Sequence, residues 1–187
     1  MTEFSDEAAA IIGASGNVGF HLLVLAARAC GSGELKGKVK AVSREPEQLK
    51  RRLAQAVPSS SDVPNLEVTY GDVTKPDTLD AVLKDVKRVF VCLPQSLTST
   101  EMVDYTKTFV DTAVRQGVRH IVRVSSYGID FYLKGGGMPQ GPLGNAHVAG
   151  EEYNVNAGVY DVSPSLVKAI HHVTMAKALP FLFSFMG

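Results

Sequence analysis

Three glycines spaced three residues apart follow a short apolar run near the start of the chain. The run covers residues 8–12, the glycines are Gly13, Gly16 and Gly19, and residues 20–29 have a helical pattern. Strand, glycine turn and helix together are typical of a dinucleotide-binding βα unit. Gly13 would allow a tight turn, Gly16 would let a pyrophosphate approach the backbone, and Gly19 would let the helix pack close to the strand. The alternative interpretation is a tight βα turn that holds no ligand.

The start of the helix after the glycine turn would supply the groups that bind phosphate. Backbone amides at a helix N-terminus face outward, with the positive end of the helix dipole behind them. The spacing is GxxGxxG rather than GxGxxG, so this interpretation depends on the rest of the chain. The residues predicted to bind the cofactor here are Gly13, Ser15, Gly16, Asn17, Val18 and Gly19.

Composition argues against several classes of protein. The 187 residues suit one α/β domain, and 19 basic residues balance 19 acidic ones, so no basic excess is available to bind nucleic acid. Cys30 and Cys92 suggest no disulfide framework, and the chain has no zinc spacing, so no metal is predicted. The acidic N-terminal sequence lacks an apolar signal core, and the apolar stretch 178–186 is too short to span a bilayer. We therefore expect a cytoplasmic location and no membrane contact.

Strand patterns alternate with helix patterns through most of the chain. Alternation of this kind predicts an α/β fold, a doubly wound parallel sheet of the Rossmann type with its ligand at the carboxyl ends of the strands. Thr98 and Glu101 fit a capping box that opens one of the helices, with Val114 on its apolar face. Four strands are predicted after the first, over residues 38–43, 66–70, 89–93 and 121–125.

The end of the second predicted strand indicates which cofactor would bind. NAD-binding proteins usually place an acidic residue there for the ribose 2′-hydroxyl, whereas NADP-binding proteins supply a cation for the 2′-phosphate. Here the strand ends in Ser43 and Arg44, which favours NADP(H), although Glu45 is an acid close by. Lys50, Arg51 and Arg52 are interpreted as a solvated basic helix face.

Seven short stretches between residues 8 and 158 occur in an order and spacing typical of one protein family. On these stretches the chain resembles the NmrA-like branch of the atypical short-chain dehydrogenase/reductases. The resemblance implies NADP(H) on a Rossmann-type sheet, with Asp72 and Val73 near the adenine and Leu93 and Pro94 beside the ribose. For Asp72 an ordinary turn residue is an equal alternative. The stretches are IIGASGNVG, AVSRE, YGDVTKPDTL, VFVCLP, VRQGVRHIV, SSYG and GPLGNAHVAGEEYNVNAG.

Candidates for proton transfer lie in the second half of the chain. No tyrosine is followed four residues later by lysine, which argues against the acid–base pair of the standard short-chain dehydrogenases. The resemblance implies a histidine or lysine at the position of His147, and Glu151 lies one helical turn later, where it could support a protonated imidazole. Ser125 and Tyr127 follow the fifth predicted strand, where the nicotinamide is expected. A surface histidine and a packed loop aromatic are the alternative interpretations of His147 and Tyr127.

The chain departs from the family after Gly158. The resemblance implies a smaller C-terminal lobe over the nicotinamide, introduced by a strand with a threonine and an Arg-Pro pair, and residues 157–164 contain neither. We expect this lobe to be missing or replaced, as in a truncated or alternatively spliced product. The predicted organisation is a flexible N-terminus over 1–7, an NAD(P)-binding domain over 8–162, and an atypical, helical C-terminal tail over 163–187.

Two functions from different classes fit these features. The first is an NADP(H)-dependent oxidoreductase that transfers hydride from nicotinamide to a carbonyl or quinone substrate, with Ser125, Tyr127 and His147 at the reacting end. The second is a non-catalytic sensor that binds the dinucleotide and passes its state to a protein partner.

Overall fold

The computed structural model describes residues 6–94, 96–124, 141–158 and 160–161. Within these ranges six strands alternate with five α-helices, as predicted for an α/β chain. A 3₁₀ turn, Pro58–Asp62, lies between the second α-helix and the third strand. The elements are β1 Ala9–Ile12, α1 Asn17–Ser32, β2 Val39–Ser43, α2 Pro46–Ala56, β3 Leu66–Tyr70, α3 Asp77–Leu83, β4 Arg88–Val91, α4 Ser99–Arg115, β5 His120–Arg123, α5 Pro142–Asn156 and β6 Tyr160–Asp161.

The strands form one parallel sheet in the order β3-β2-β1-β4-β5-β6. In this order the chain moves outward from β1 to β3 and then returns to the other side of β1 with β4. The strand order therefore reverses between β1 and β4, where Ile12 is paired with Val91. Ligands of open α/β sheets bind in the crevice outside the carboxyl ends of the strands at such a reversal. The doubly wound fold predicted from the sequence is confirmed.

Alternate residues of the strands supply two apolar layers, one on each face of the sheet. Ile11 belongs to the layer that packs against α1 and α2, with Leu23 and Leu49. Its neighbour Ile12 belongs to the layer on the opposite face, which contains Leu83 and Phe109 from α3 and α4. Because the sheet is covered on both faces, its central strand β1 is apolar throughout and buried at all four positions. This packing fixes the carboxyl edge of the sheet, where the candidate site lies.

Helix α1 begins three residues earlier than the sequence pattern predicts. The prediction placed its start at Phe20 because glycine is a poor helix former. In the structure Gly16 is the N-cap and Gly19 lies inside the first turn. Packing overrides propensity here, since the backbone of Gly13 occupies the space that a side chain at position 19 would need.

Helix α4 confirms its predicted start but not the whole of its predicted buried face. Glu101 accepts a hydrogen bond from the Thr98 amide at 2.8 Å, and the Glu101 amide donates to Thr98 Oγ1 at 3.3 Å, which completes the capping box. The prediction that Val114 packs inward is wrong, because its side chain is exposed. Thr106 and Thr112 are buried instead, and their hydroxyls donate to carbonyl oxygens four residues earlier.

Helix α5 begins at Pro142, and proline suits the first turn of a helix. Strand β6 follows it and pairs with the first two residues of β5. It falls inside the predicted domain of residues 8–162. The domain boundaries stay predictions. Residues 1–5 of the predicted flexible N-terminus, the candidates Ser125 and Tyr127, and the predicted helical tail over 163–187 lie outside the described residues.

Candidate dinucleotide-binding site

A cavity of about 420 Å³ opens at the reversal point of the sheet. Its walls are the turns that follow four different strands, so residues far apart in the chain meet there. Eleven of the twelve predicted cofactor-binding residues line it, and Gly19 does not. The lining residues are Ile12, Gly13, Ser15, Gly16, Asn17, Val18, Val42, Ser43, Arg44, Gly71, Asp72, Val73, Cys92, Leu93 and Pro94.

The glycine turn that follows β1 is shaped by close backbone contacts. Gly13 has φ of +84°, a conformation that residues with a side chain rarely adopt, and a Cβ there would overlap the carbonyl oxygen of Cys92. The Gly16 amide donates to the Gly13 carbonyl oxygen at 3.0 Å and closes the turn. A Cβ at Gly19 would lie 2.8 Å from the Gly13 carbonyl carbon. Gly13 and Gly19 therefore have the structural roles predicted for them, and Gly16 faces the cavity.

The N-terminus of α1 is open toward the cavity. Its N-cap is Gly16, so no side chain caps the first amides, and no acidic residue lies in the first turn. Asn17 and Val18 line the cavity at this point. Uncapped amides and the positive end of the helix dipole suit a phosphate group. The residues present here therefore fit the pyrophosphate of a dinucleotide.

The end of β2 presents one arginine and one buried hydroxyl. Ser43 is buried, and its Oγ accepts a hydrogen bond from the Glu45 amide at 3.0 Å. This bond turns the chain so that Arg44 is exposed and lines the main cavity. Glu45 lines a second, smaller cavity next to it, which Arg44 also borders.

At the end of β3, Asp72 is a turn residue that also lines the cavity. One carboxylate oxygen of Asp72 accepts hydrogen bonds from the Thr74 amide at 2.9 Å and from Thr74 Oγ1 at 2.8 Å, which makes it a turn residue. The same residue lines the cavity with Val73, and both are buried. The carboxylate is thus held in place by the turn, and the adjacent wall offers an apolar surface.

The end of β4 contributes Cys92, Leu93 and Pro94 to the cavity. Burial raises the pKa of the Cys92 thiol, so less thiolate is present near neutral pH than for an ordinary cysteine. A thiol of this kind is a small apolar wall residue. The interpretation of Cys92 as a packing residue rather than a redox group rests on this environment.

Both cysteines should therefore react slowly with an alkylating agent in the folded protein. Burial raises the pKa of Cys30 to about 11 and that of Cys92 in the same direction, so iodoacetamide labelling at pH 7.5 should be at least about tenfold slower than in denaturant. Quenched labelling followed by peptide mass spectrometry measures each site. Rapid native labelling of Cys92 would contradict the assignment.

His147 lies beside a buried arginine at the carboxyl edge of the sheet. Arg123, the last residue of β5, is buried beneath α5 and places Nη1 3.4 Å from His147 Nδ1. Its Nη2 donates to the His147 carbonyl oxygen at 3.1 Å. A Cβ at Gly150 would lie 3.0 Å from the Arg123 guanidinium carbon, so the absence of a side chain there makes room for the arginine.

The Arg123 contact bears on the protonation of His147. A guanidinium carries only donors, so Nδ1 of His147 is the acceptor in this pair and its ring proton lies on Nε2. A second positive charge on the imidazole would be unfavourable next to the guanidinium. The protonated imidazole supported by Glu151 stays a prediction. The side chain of Glu151, together with Ser125 and Tyr127, lies outside the described residues.

Sequence reasoning missed Arg52 and Arg123. Arg52 is exposed, as expected for the solvated helix face to which it was assigned. Its guanidinium carbon also lies 3.7 Å from the centroid of the Phe20 ring, and the residue borders the smaller cavity beside Arg44. Nothing local in the sequence pairs Arg52 with Phe20. For Arg123 a signal exists, because it is a charged residue at the end of an apolar strand.

Two kinds of feature are absent from the described part of the chain. No group of three or more histidine, cysteine, aspartate or glutamate side chains there is arranged to hold a metal ion. None of the described helices is both long enough and apolar enough to cross a bilayer.

Comparison with protein families identifies the family to which the chain belongs. Residues 13–149, well over half of the chain, match a family model described as NAD(P)H-binding. The chain belongs to this NAD(P)H-binding family. The matched segment includes the glycine turn and the ends of β2, β3 and β4, so the family assignment and the geometry agree. A comparison with curated proteins gives no match.

Several solved structures share the fold. A Citrobacter sp. triphenylmethane reductase complexed with NADP(H) is 21% identical, with a TM-score of 0.64 over 82% of this chain and 47% of its own. An NADPH-dependent quinone oxidoreductase from Escherichia coli complexed with NADPH is 19% identical, with a TM-score of 0.61 over 82% of this chain and 46% of its own. A wide-type short-chain dehydrogenase/reductase from Veillonella parvula in complex with NADP is 17% identical, with a TM-score of 0.59. The match covers 83% of this chain and 66% of that protein. The chain spans about half the length of the first two.

Proposed function

We propose that this NAD(P)H-binding chain is an NADP(H)-dependent oxidoreductase of the NmrA-like branch, which reduces a carbonyl or quinone substrate. The observation that carries the proposal is Arg44 at the end of β2, in one cavity with an uncapped helix N-terminus. The solved structures with the same fold include an NADPH-dependent quinone oxidoreductase and a triphenylmethane reductase. Their activities support the class of reaction proposed for this chain.

In this proposal each wall of the cavity has one task. The amides at the start of α1 bind the pyrophosphate, Arg44 binds the 2′-phosphate, Asp72 and Val73 border the adenine, and Leu93 and Pro94 border the ribose. Bound nicotinamide supplies the hydride. His147 would donate the proton on Nε2 to the substrate oxygen, which becomes a hydroxyl as the hydride reaches the carbonyl carbon, and the ring would regain a proton from solvent. Ser125 and Tyr127 would position that oxygen.

Arg123 supports the assignment of Nε2 as the proton donor. Because its guanidinium donates toward Nδ1, the neutral imidazole presents its only ring N–H on the other nitrogen. The bond to the His147 carbonyl oxygen fixes the backbone at the same point. Arg123 is thus proposed as a positioning residue for His147.

Steady-state NADPH oxidation with a panel of quinones and aldehydes tests the proposed reaction. Turnover that depends on both NADPH and an acceptor supports the enzyme. Tight NADPH binding without turnover on any member of the panel would favour the alternative, a sensor that passes its cofactor state to a protein partner. The lack of a Tyr-x-x-x-Lys pattern is the observation in favour of that alternative. A cytoplasmic location and the lack of nucleic-acid or membrane partners stay predictions.

NADPH should raise the melting temperature more than NADH at equal concentration. A charge-assisted contact from Arg44 to the 2′-phosphate contributes about 1.5–3 kcal/mol, which is on the order of ten- to a hundredfold in affinity. Arg44→Ala should remove most of the difference and leave NADH binding nearly unchanged. Thermal shift assays with both cofactors measure this, and equal shifts in the unsubstituted protein would overturn the NADP(H) preference alone.

A further inference from the structure

A second cavity, of about 210 Å³, adjoins the main one at the carboxyl end of β2. It lies between the glycine turn and α2, and it shares Ser15, Ser43 and Arg44 with the main cavity. Arg52 and Gln48, one helical turn apart on α2, form its far wall. The position next to Arg44 is where the proposed function places the ribose 2′-phosphate.

Arg52 is held in place by two contacts with the first βα unit. Its Nη1 donates to the Ser15 carbonyl oxygen at 2.8 Å, and its guanidinium carbon lies 3.7 Å from the centroid of the Phe20 ring. Stacking and the hydrogen bond restrict a side chain that would otherwise lose much rotamer freedom on binding a ligand. The remaining N–H groups of the guanidinium are available to an anion in the cavity.

Arg52 determines the net charge of the side chains that line this cavity. Arg44 and Glu45 carry opposite charges and cancel each other, whereas Arg52 leaves the cavity with a net positive charge. A phosphate monoester carries about −1.5 to −2 charges near neutral pH. Arg44 alone, with Glu45 beside it, therefore presents an electrically neutral subsite to a strongly anionic group.

We propose that Arg52 is a second specificity-determining residue, which binds the 2′-phosphate together with Arg44 as a two-arginine site. The inference rests on the proposed function and names a residue of the same cavity. It also assigns a role to Ser15, whose carbonyl oxygen holds Arg52 in position from the opposite wall. Arg52 thus joins the loop that would hold the pyrophosphate to the subsite for the 2′-phosphate.

Helix α2 offers a matched control for the experiment. Arg51 is adjacent, carries the same charge and is exposed, but it borders neither cavity. Isothermal titration of NADPH and NADH into the full chain, with circular dichroism to establish folding, would compare Arg52→Ala with Arg51→Ala. Arg52→Ala should weaken NADPH about tenfold and leave NADH unchanged, whereas Arg51→Ala should change both only slightly. Arg52→Lys should restore only part of the loss, because an ammonium lacks the planar fork.

The outcomes separate this inference from the proposed function. If the unsubstituted chain binds neither cofactor, the proposed function is overturned, and if it binds both equally, the NADP(H) preference is overturned. This inference falls in either case. If the unsubstituted chain prefers NADPH and Arg52→Ala keeps that preference, only the role of Arg52 is overturned. Equal losses of NADPH and NADH in Arg52→Ala also overturn it, because they would mean that Arg52 merely supports the loop at Ser15.

Discussion

Gly16→Val should reduce NADPH affinity by about 100-fold or more while the chain remains folded, since it would block at least two charge-assisted bonds to the pyrophosphate. Gly16 has φ of −72°, which valine can adopt, and its added Cβ would lie 3.3 Å from the Gly13 carbonyl oxygen. The branched side chain would then occupy the part of the cavity beside the first amides of α1. Titration of NADPH, with a melting curve for each variant, measures both effects.

Two other glycines of α1 serve as comparisons. A side chain at Gly31 would meet Val63 at 3.8 Å, an ordinary contact away from the cavity, so Gly31→Val should leave NADPH affinity nearly unchanged. Gly19→Val should instead prevent stable folding, because its Cβ would overlap the backbone of Gly13. Undiminished NADPH binding by folded Gly16→Val would remove the phosphate-binding interpretation of the turn.

His147→Ala should lower turnover by about 100-fold and change NADPH affinity far less, as expected when a proton donor is removed. The reason is that the imidazole is proposed to act on the substrate, whereas the cofactor-binding walls lie at the ends of β1 to β4. The ratio of the effect on kcat to the effect on the NADPH dissociation constant is the measurement. His21→Ala provides the matched control, since His21 is exposed on α1 and its Nδ1 contacts only its own helix in the described bonds.

A His147→Ala variant with the turnover of the unsubstituted protein would leave His147 as a structural residue of α5. Loss of NADPH binding in His147→Ala would point instead to a disturbed α5, because Arg123 would lose its contact with Nδ1. Circular dichroism distinguishes that case from loss of the proton donor.

The fold could be predicted because its signals are local. Strand β3 was predicted over its observed bounds because Leu66–Tyr70 lies between turn residues, and the capping box of α4 needs only Thr98 and Glu101. Strand order then follows from general rules of parallel sheets rather than from particular residues. The ends of the elements were less accurate where packing acts against propensity, as at Gly19.

The lining of the main cavity could also be predicted, since each wall follows directly after a strand and the carboxyl ends of parallel strands meet at one edge. The position of Arg52 could not, because it depends on how α2 packs against α1 and on which face of α1 carries Phe20. The contact between Arg123 and His147 could not be predicted for a similar reason. The sequence pairs it with Glu151 along one helix, whereas the structure adds Arg123 from the strand beneath.

The absence of a side chain at Gly150 is needed for the contact between Arg123 and His147. Helix α5 can lie close to the sheet only because nothing projects from Gly150 toward the guanidinium of Arg123. Replacement by alanine would require the Arg123 guanidinium to move by a few tenths of an ångström, and this movement would disturb its contacts with His147, which lies about one turn earlier on α5. Natural substitutions that impair this chain should therefore also occur at small residues far from the cavity. A method that ranks substitutions by their distance from the cavity would classify these as benign.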